Sequence, residues 1–387
     1  MSAETIAEQA KPKRVNLRRP DIMEAVREQV EQHYRSQIVE KLRQYGGVLE
    51  AGGLKVRLAK EFGFCYGVER AIDLAYAARK VFPGQPIYIL GEIIHNPEVN
   101  EQLIAMDIKF LSGPNKSAEL DDLRQDDVVI IPAFGAQMTI MEKLRAKGCQ
   151  MVDTTCGDVM SVWKRVTQNA KEHFTSIIHG KAKHEETLAT SSRATANTSG
   201  HYLVVLNLEE TDYVCRYIRS GGNKPELLQK FAGAHSPGFD PDVHLASIGV
   251  ANQTTMLRSE TEEIQNRLRQ AMIDRYGAAE IERHFRMFDT ICGATQERQD
   301  ALIKLLLEPL DMMIVVGGYN SSNTSHLAEM SEARVPTYFI RNASKMVSAK
   351  SILHFNLHKQ QEVQTADWLP AGNLYVGITA EIGRAHV

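Results

Sequence analysis

The spacing of apolar residues changes along the chain, and this change predicts the class of fold. Between residues 21 and 45 they recur every three or four positions, which is helical spacing, until Gly46 and Gly47 end the pattern. Beyond these glycines, short apolar runs typical of strands alternate with amphipathic stretches typical of helices. The pattern predicts a helical N-terminal extension over 1–50, followed by α/β units with largely parallel sheets.

Three segments of the chain repeat one order of elements. In each, a strand-like run leads to a cysteine, an amphipathic helix follows, and a short apolar strand ends on a glycine about 25 residues after the cysteine. In open α/β sheets, the loops beyond the carboxyl ends of strands form the functional site, so three such units aim three cysteines at one centre. We predict three similar α/β units in a pseudo-threefold arrangement, over 51–150, 151–287 with an insertion near 201–245, and 288–387, the last truncated at its C-terminus.

Composition narrows the classes of function. The net charge of −3 over 387 residues provides no basic surface for nucleic acid, and the apolar runs are far shorter than a membrane span. The first 20 residues contain several basic side chains but no apolar signal region. We therefore expect a soluble, cytoplasmic protein that binds neither nucleic acid nor membranes.

The five cysteines are scattered and odd in number, which is not typical of a disulfide framework. Cys149 and Cys215 are interpreted as buried apolar residues. Cys65, Cys156 and Cys292 share one position at a strand-to-helix junction, where the helix dipole favours the thiolate, either as nucleophile or as metal ligand. A nucleophile needs only one cysteine with a base, so three equivalent cysteines favour a metal centre.

The kind of metal centre follows from what accompanies the cysteines. No closely spaced pair of the CxxC type is present, so zinc is the weaker candidate. An iron–sulfur cubane held by three thiolates leaves one iron open to substrate and also supplies electrons. The loops that follow the repeated strands contain neutral hydrogen-bond donors, imidazoles and carboxylates, a set suited to holding an oxyanion and moving a proton. No nucleotide-binding glycine motif is present.

Seven motifs in chain order, EFGFCYGVERAI, GEIIHNPEVN, DTTCGDV, HGKAKHEET, NQTTM, DTICGAT and GGYNSSN, carry a family resemblance. The chain resembles the LytB family of 4-hydroxy-3-methylbut-2-enyl diphosphate reductases from about residue 25 to 380, in the form found in plants and cyanobacteria. The resemblance implies three α/β units around one [4Fe–4S] cluster per chain. It also implies reduction of the allylic diphosphate substrate to isopentenyl diphosphate and dimethylallyl diphosphate, the last step of the methylerythritol phosphate pathway, with electrons from ferredoxin or flavodoxin.

The resemblance also implies roles for individual residues. Cys65, Cys156 and Cys292 hold the cluster and leave one iron open, and Glu186 lies on the path of proton delivery. The substrate and its diphosphate contact His95, His184, Gln253, Thr254, Ser321, Ser322 and Asn323.

Two departures from the family pattern stand out. Phe134 occupies a position where many bacterial relatives have a histidine, and Gln137 is a candidate replacement for the lost contact. The ending Glu381–Val387 stands where the family has a Gly-Ala-Ser loop and a closing helix. These seven residues match the translation of a common sequencing adapter, so we expect them to be an artefact.

Two other functions are compatible with three thiolates around a cluster. An aconitase-like hydro-lyase also uses an open iron, but it consumes no electrons, so dependence on a reductant distinguishes it. An iron–sulfur sensor that catalyses nothing has little need for the acid, base and anion-binding loops that this sequence contains.

Overall fold

The computed structural model describes residues 17–196, 200–288 and 290–381. Of the predicted helical extension over 1–50, residues 1–16 lie outside the described residues; the remainder forms two helices and the start of a strand, with Pro20 at the first position of the first helix and the Ser36 hydroxyl accepting the Val39 N–H at the start of the second. Two strands follow before the first repeated cysteine. These elements are α1 (Pro20–Tyr34), α2 (Gln37–Gln44), β1 (Val48–Ala51) and β2 (Leu54–Leu58).

The first repeat after these strands alternates helix and strand. Its helix α4 starts at Asn96, whose side chain accepts the Val99 N–H at 3.0 Å. Its elements are α3 (Tyr66–Val81), β3 (Ile87–Ile89), α4 (Pro97–Ala105), β4 (Ile108–Phe110), β5 (Val128–Ile131), α5 (Met138–Ala146) and β6 (Gln150–Asp153).

The second repeat is longer because three extra helices follow its edge strand. That strand, Tyr202–Val205, opens the predicted insertion but is an ordinary parallel member of the sheet, so only the three helices are additional. The elements are α6 (Gly157–Lys171), β7 (Thr175–His179), α7 (Glu185–Ala194), β8 (Tyr202–Val205), α8 (Leu208–Ser220), α9 (Lys224–Lys230), α10 (Pro241–His244), β9 (Ile248–Asn252), α11 (Arg258–Tyr276), α12 (Ile281–His284) and β10 (Phe285–Met287).

The third repeat contains an antiparallel hairpin that the apolar pattern did not predict. The second hairpin strand is polar and mostly exposed, and the first has only a short apolar run that His354 interrupts. The elements are α13 (Gly293–Leu305), β11 (Met312–Val316), α14 (Ser322–Glu332), β12 (Thr337–Ile340), the hairpin β13 (Ser351–Asn356) and β14 (Gln361–Ala366), and β15 (Leu374–Ala380).

The strands form three main sheets, which confirms the predicted fold of three α/β units. The orders are β4-β3-β5-β6, β10-β9-β7-β8 and β1-β2-β15-β11-β12. All neighbours are parallel except β1 and β2. The central strands β5, β7, β9 and β11 are buried throughout, as expected for parallel strands covered by helices on both faces. No helix of the described residues is long and apolar enough to cross a membrane.

Each repeated cysteine lies where the chain leaves one sheet for the next. Strand β6, before Cys156, ends the first sheet, and β10, before Cys292, ends the second. Strand β2, before Cys65, pairs with β15 in the third sheet although the predicted first unit includes it. The exact unit boundaries stay a prediction, but the strand exchange brings all three cysteines to the junctions between sheets.

Candidate functional site

The three repeated cysteines precede three helices and line one cavity of about 150 Å³. Cys65, Cys156 and Cys292 are the N-cap residues of α3, α6 and α13, and none of their side chains caps its own helix. All three are free thiols. The sulfur atoms are therefore available to a ligand in the cavity.

Gly67 allows the sulfur atoms of two of these cysteines to approach the backbone of α3 closely. A Cβ atom built on this glycine would lie 2.7 Å from Cys156 Sγ and 3.7 Å from Cys65 Sγ. The space that a side chain would fill is thus bordered by sulfur. Three thiols around such a space form a soft donor set, of the kind that binds iron–sulfur clusters or other thiophilic metals.

The thiols are not ionised by their helices, contrary to the expectation from the sequence. Burial raises the pKa of Cys65 and Cys156, and the N–H groups of the following turn lower it by less. Burial, followed by the nearby carboxylate of Asp158, raises the pKa of Cys292 to about 12. In the protein alone the helix dipole is therefore too weak to form thiolates, and a bound cationic centre must favour them.

His95 lies between two carboxylates at the opposite wall of the cavity. Its Nδ1 is 2.8 Å from Glu92 Oε2, and its Nε2 is 3.5 Å from Glu185 Oε2. Burial opposes its ionisation, but the carboxylates of Glu185 and Glu92 outweigh burial and raise the pKa of His95 to about 9. Glu92 is itself buried and accepts hydrogen bonds from Asn100 and Asn320. His95 is therefore a fixed cation at neutral pH.

His184 is a neutral imidazole that lies beside His95. Its Nδ1 accepts the Glu186 backbone N–H at 3.2 Å at the start of α7, so the proton of the neutral ring is on Nε2. Burial, followed by repulsion from His95, lowers the pKa of His184 to about 4. The two imidazole rings meet edge to face at 5.1 Å. A ring nitrogen of each histidine lies at the place where the two rings meet, and a cationic ring beside a neutral one suits an anion better than a metal ion.

Phe134 forms an apolar wall beside these histidines. Its ring stacks on His95 with centroids 5.0 Å apart and an interplanar angle of 15°, and its edge meets His184. Gln137, the candidate replacement for the missing histidine, is the N-cap residue of α5 and does not line the cavity. The structure therefore gives Gln137 no support as a substitute ligand.

Glu186 is a buried carboxyl group held by one residue of the neighbouring loop. The Thr254 backbone N–H donates to one carboxyl oxygen at 2.6 Å, and the Thr254 hydroxyl donates to the other at 2.9 Å. Burial raises the pKa of Glu186 to about 7, although both hydrogen bonds from Thr254 oppose this shift. A carboxyl group with a pKa near 7 can hold a proton and release it at neutral pH.

The loop before α14 offers polar atoms without partners. Ser321 caps the helix by accepting the Thr324 N–H at 3.3 Å. Ser322 Oγ and Asn323 Oδ1 are buried, and neither has a hydrogen-bond partner within the part of the chain that the structure describes. Because buried polar atoms are normally satisfied, these two atoms point to a ligand in the cavity that they line.

Gln253 is the one predicted substrate contact that the structure does not bring to the cavity wall. Its amide oxygen accepts the Lys181 N–H and the Thr187 hydroxyl, each at 3.1 Å, and its amide nitrogen donates to Thr255. It holds the loop that presents Thr254 and Thr255, so its direct contact with a substrate stays a prediction.

Glu381 also lines the cavity, where the resemblance led us to expect a Gly-Ala-Ser loop. Its Oε1 lies 2.9 Å from Arg298 Nε, and Arg298 donates a hydrogen bond to the Gly63 carbonyl oxygen at 2.9 Å. Burial raises the pKa of Glu381 to about 7. Residues 382–387 lie outside the described residues, so the prediction that the tail is an artefact stays untested.

Some residues of the site carry no signal of their own in the sequence. Glu92 orients His95, Asn320 holds Glu92, and Asp158 borders the thiols. Each lies inside one of the seven motifs, but the sequence analysis assigned it no role. Only the contacts in the structure separate them from ordinary loop residues.

A family model described as LytB protein matches residues 56–382. The chain belongs to the LytB family. A 4-hydroxy-3-methylbut-2-enyl diphosphate reductase of Crocosphaera subtropica is 49% identical over 348 residues, which cover 90% of this chain and 85% of the relative. The enzyme of the same name from Gloeobacter violaceus is 49% identical over 360 residues, which cover 92% and 85%.

A solved structure supports the fold of this LytB-family chain. The E-1-hydroxy-2-methyl-but-2-enyl-4-diphosphate reductase of Plasmodium falciparum superposes with a TM-score of 0.60 at 24% identity, covering 84% of this chain and 82% of that one. The family predicted from the seven motifs is confirmed. Because the relatives are reductases, the hydro-lyase and sensor alternatives lose their support.

Proposed function

We propose that this chain reduces 4-hydroxy-3-methylbut-2-enyl diphosphate to isopentenyl diphosphate and dimethylallyl diphosphate, the last step of the methylerythritol phosphate pathway. The observation that carries the proposal is the cavity itself. It combines three free thiols, two histidines whose ring nitrogens lie close together and a carboxyl group with a pKa of about 7. Relatives that are 49% identical over nine-tenths of the chain bear the name of this reductase.

The thiols fit the cofactor that this reaction needs. LytB-family enzymes are iron–sulfur proteins, and we assign one [4Fe–4S] cluster per chain to Cys65, Cys156 and Cys292, with one iron left open. The close approach of two of the sulfurs to Gly67, where no side chain separates them, supports this assignment. When bound, such a cluster supplies electrons and a Lewis-acidic iron.

The anion-binding wall holds the diphosphate. His95 contributes a positive charge and His184 a neutral N–H donor, so the group is bound by one ion pair and by hydrogen bonds. The free polar atoms of Ser322 and Asn323, together with Ser321 and Thr254, complete the surface that faces the substrate. Phe134 keeps water away from the His95 ring on its stacked side.

Glu186 supplies the proton that the leaving hydroxyl group needs. Hydroxide is a poor leaving group, whereas water departs readily once the C–O oxygen is protonated. The reaction consumes two electrons and two protons and releases one water molecule. Because Thr254 fixes both carboxyl oxygens of Glu186, the proton is held at a defined position in the cavity.

The electrons must come from a low-potential donor, and we assign this role to ferredoxin or flavodoxin. The cytoplasmic location expected from the sequence stays a prediction.

An anaerobic assay tests the function. The full chain, reconstituted with iron and sulfide, is mixed with the diphosphate alcohol and reduced methyl viologen, and both C5 diphosphates are measured. We expect both products to form only with reductant. Product without reductant, or no product from a cluster-loaded chain, would contradict the proposal. Cys149→Ser is the matched control, because Cys149 packs in a core away from the cavity and should leave turnover intact.

A further inference from the structure

Glu185 places a carboxylate at the position where the two histidines meet. Its carboxylate oxygen and one ring nitrogen from each of His95 and His184 all lie within 4.8 Å of one another. The ion-pair distance to His95 Nε2 is 3.5 Å. A carboxylate of the protein thus already pairs with one of the histidines that line the cavity.

A metal ion is the other ligand that two histidines and a carboxylate could hold, and the ring protons argue against it. His184 Nδ1 accepts a backbone N–H, so the proton of this ring is on Nε2. His95 Nδ1 bonds to Glu92, and the pKa of about 9 means that Nε2 is protonated as well. A metal ligand needs an unprotonated nitrogen. The geometry therefore suits an acceptor such as a carboxylate or a phosphate.

We propose that Glu185 is an internal competitor of the substrate, occupying the diphosphate position until the substrate displaces it. The inference rests on the proposed function, because it takes the diphosphate to bind at His95 and His184. Displacing Glu185 from His95 costs the same free energy whichever anion binds. Only an anion that also makes strong contacts elsewhere in the cavity then binds, so Glu185 sets a threshold that excludes weakly held anions.

The two carboxylates beside His95 differ in whether they can leave. The Glu185 side chain is 55% exposed at the first position of α7, so it can turn into solvent. Glu92 is 9% exposed at its side chain and is held by the amides of Asn100 and Asn320. Glu92 therefore keeps His95 charged after Glu185 has moved, and the vacated position faces a cation.

Opposite effects of the two carboxylates test the inference. Inorganic diphosphate is titrated calorimetrically into the cluster-reconstituted full chain at pH 7.5. We expect Glu185→Gln to bind it about three- to tenfold more tightly than the wild type, a limited gain because exposed ion pairs are weak. Glu92→Gln should bind it more weakly, because it loses the group that keeps His95 charged and oriented. Glu209→Gln, at a side chain 87% exposed in the second unit, is the charge-matched control and should bind like the wild type.

The outcomes separate this inference from the proposed function. Equal, weaker or absent diphosphate binding by Glu185→Gln, relative to the wild type, overturns the inference. If the wild type still turns over substrate in the anaerobic assay, the proposed function is unaffected by that result. Tighter binding by Glu185→Gln together with no turnover by the loaded wild type would overturn the function and leave the competitor role supported. A purely structural role for Glu185 would weaken binding in both glutamine variants.

Discussion

Gly67 lies directly against Cys156: a Cβ atom on the glycine would be 2.7 Å from the sulfur, shorter than any ordinary contact. Gly67 is the second residue of α3, where alanine is the better helix former. Because the added methyl group must displace the Cys156 sulfur, we expect Gly67→Ala to lower the iron content strongly, and the better helix propensity of alanine to offset part of the stability that this clash costs the cluster-free protein. Iron analysis and thermal unfolding of both forms are the measurements.

Gly157→Ala is the matched control for this variant. Gly157 also follows a cysteine ligand at the start of a helix, but a Cβ there would meet nothing within 4 Å. Its iron content should equal that of the wild type. If Gly67→Ala binds as much iron as Gly157→Ala, the close approach of the Cys156 sulfur to Gly67 is not needed for binding the cluster.

Serine replacement distinguishes the three cavity cysteines from the two core cysteines. Cys65→Ser, Cys156→Ser and Cys292→Ser should each lose most of the bound iron and the visible absorbance of the cluster. Cys149 and Cys215 are 1% exposed and pack among apolar side chains, so their serine variants should keep the cluster, even if they are less stable. If Cys149→Ser or Cys215→Ser folds fully but loses the cluster, the ligands are wrongly assigned.

Glu186→Gln should separate binding from turnover. The amide keeps the shape of the side chain and can still accept the Thr254 N–H, but it carries no proton to deliver. We expect kcat to fall by about 10²–10⁴-fold with little change in KM. A steady-state assay with saturating reductant is the measurement. A kcat close to that of the wild type would remove Glu186 from proton delivery.

His179 makes stability depend on pH. It is fully buried at the end of β7, and burial, followed by repulsion from His326, lowers its pKa to about 4. Between pH 7.5 and 5.5 the unfolded chain takes up a proton at this residue, whereas the folded chain does not. Stability is therefore lost as the pH falls, by about 1 kcal/mol from His179 alone.

His179→Gln should remove this share of the pH dependence, since glutamine does not titrate and can still donate to Thr261. Urea unfolding at the two pH values measures it. His358→Gln, at a side chain 87% exposed, is the control and should retain the full wild-type difference. Equal pH dependence in the wild type and His179→Gln would show that His179 is not responsible.

Much of the fold followed from periodicity, because buried parallel strands such as Val128–Ile131 leave unbroken apolar runs that end at turn residues. The hairpin Ser351–Ala366 differs, because its second strand is polar and the apolar run of its first strand is short and interrupted by His354, so neither was predicted as a strand. Sheet membership was also hidden. No local sequence pattern indicates that Leu54–Leu58 pairs with Leu374–Ala380, because strand pairing depends on residues that are distant in the chain.

The sequence predicts those site residues that recur at the same position of each repeat, but not those whose role depends on contacts between distant segments. The three cysteines share one repeat position, so the sequence placed them together. The ionisation of their thiols was predicted wrongly, because burial cannot be judged from the local helix dipole alone. The support of His95 by Glu92 and Asn320 joins residues from two different units, which no local pattern reveals.

Strand β2 lies between β1 and β15, so one of the first strands to be synthesised pairs with the last. Leu54 and Leu374 are partners although about 320 residues separate them. During translation one edge of β2 stays unpaired until the residues of β15 have left the ribosome. Cys65 follows this strand, so it reaches its final position only when β15 docks. The complete thiol set therefore forms only after residues 374–380 have been synthesised, and a shorter nascent chain presents at most two of the three sulfurs in place.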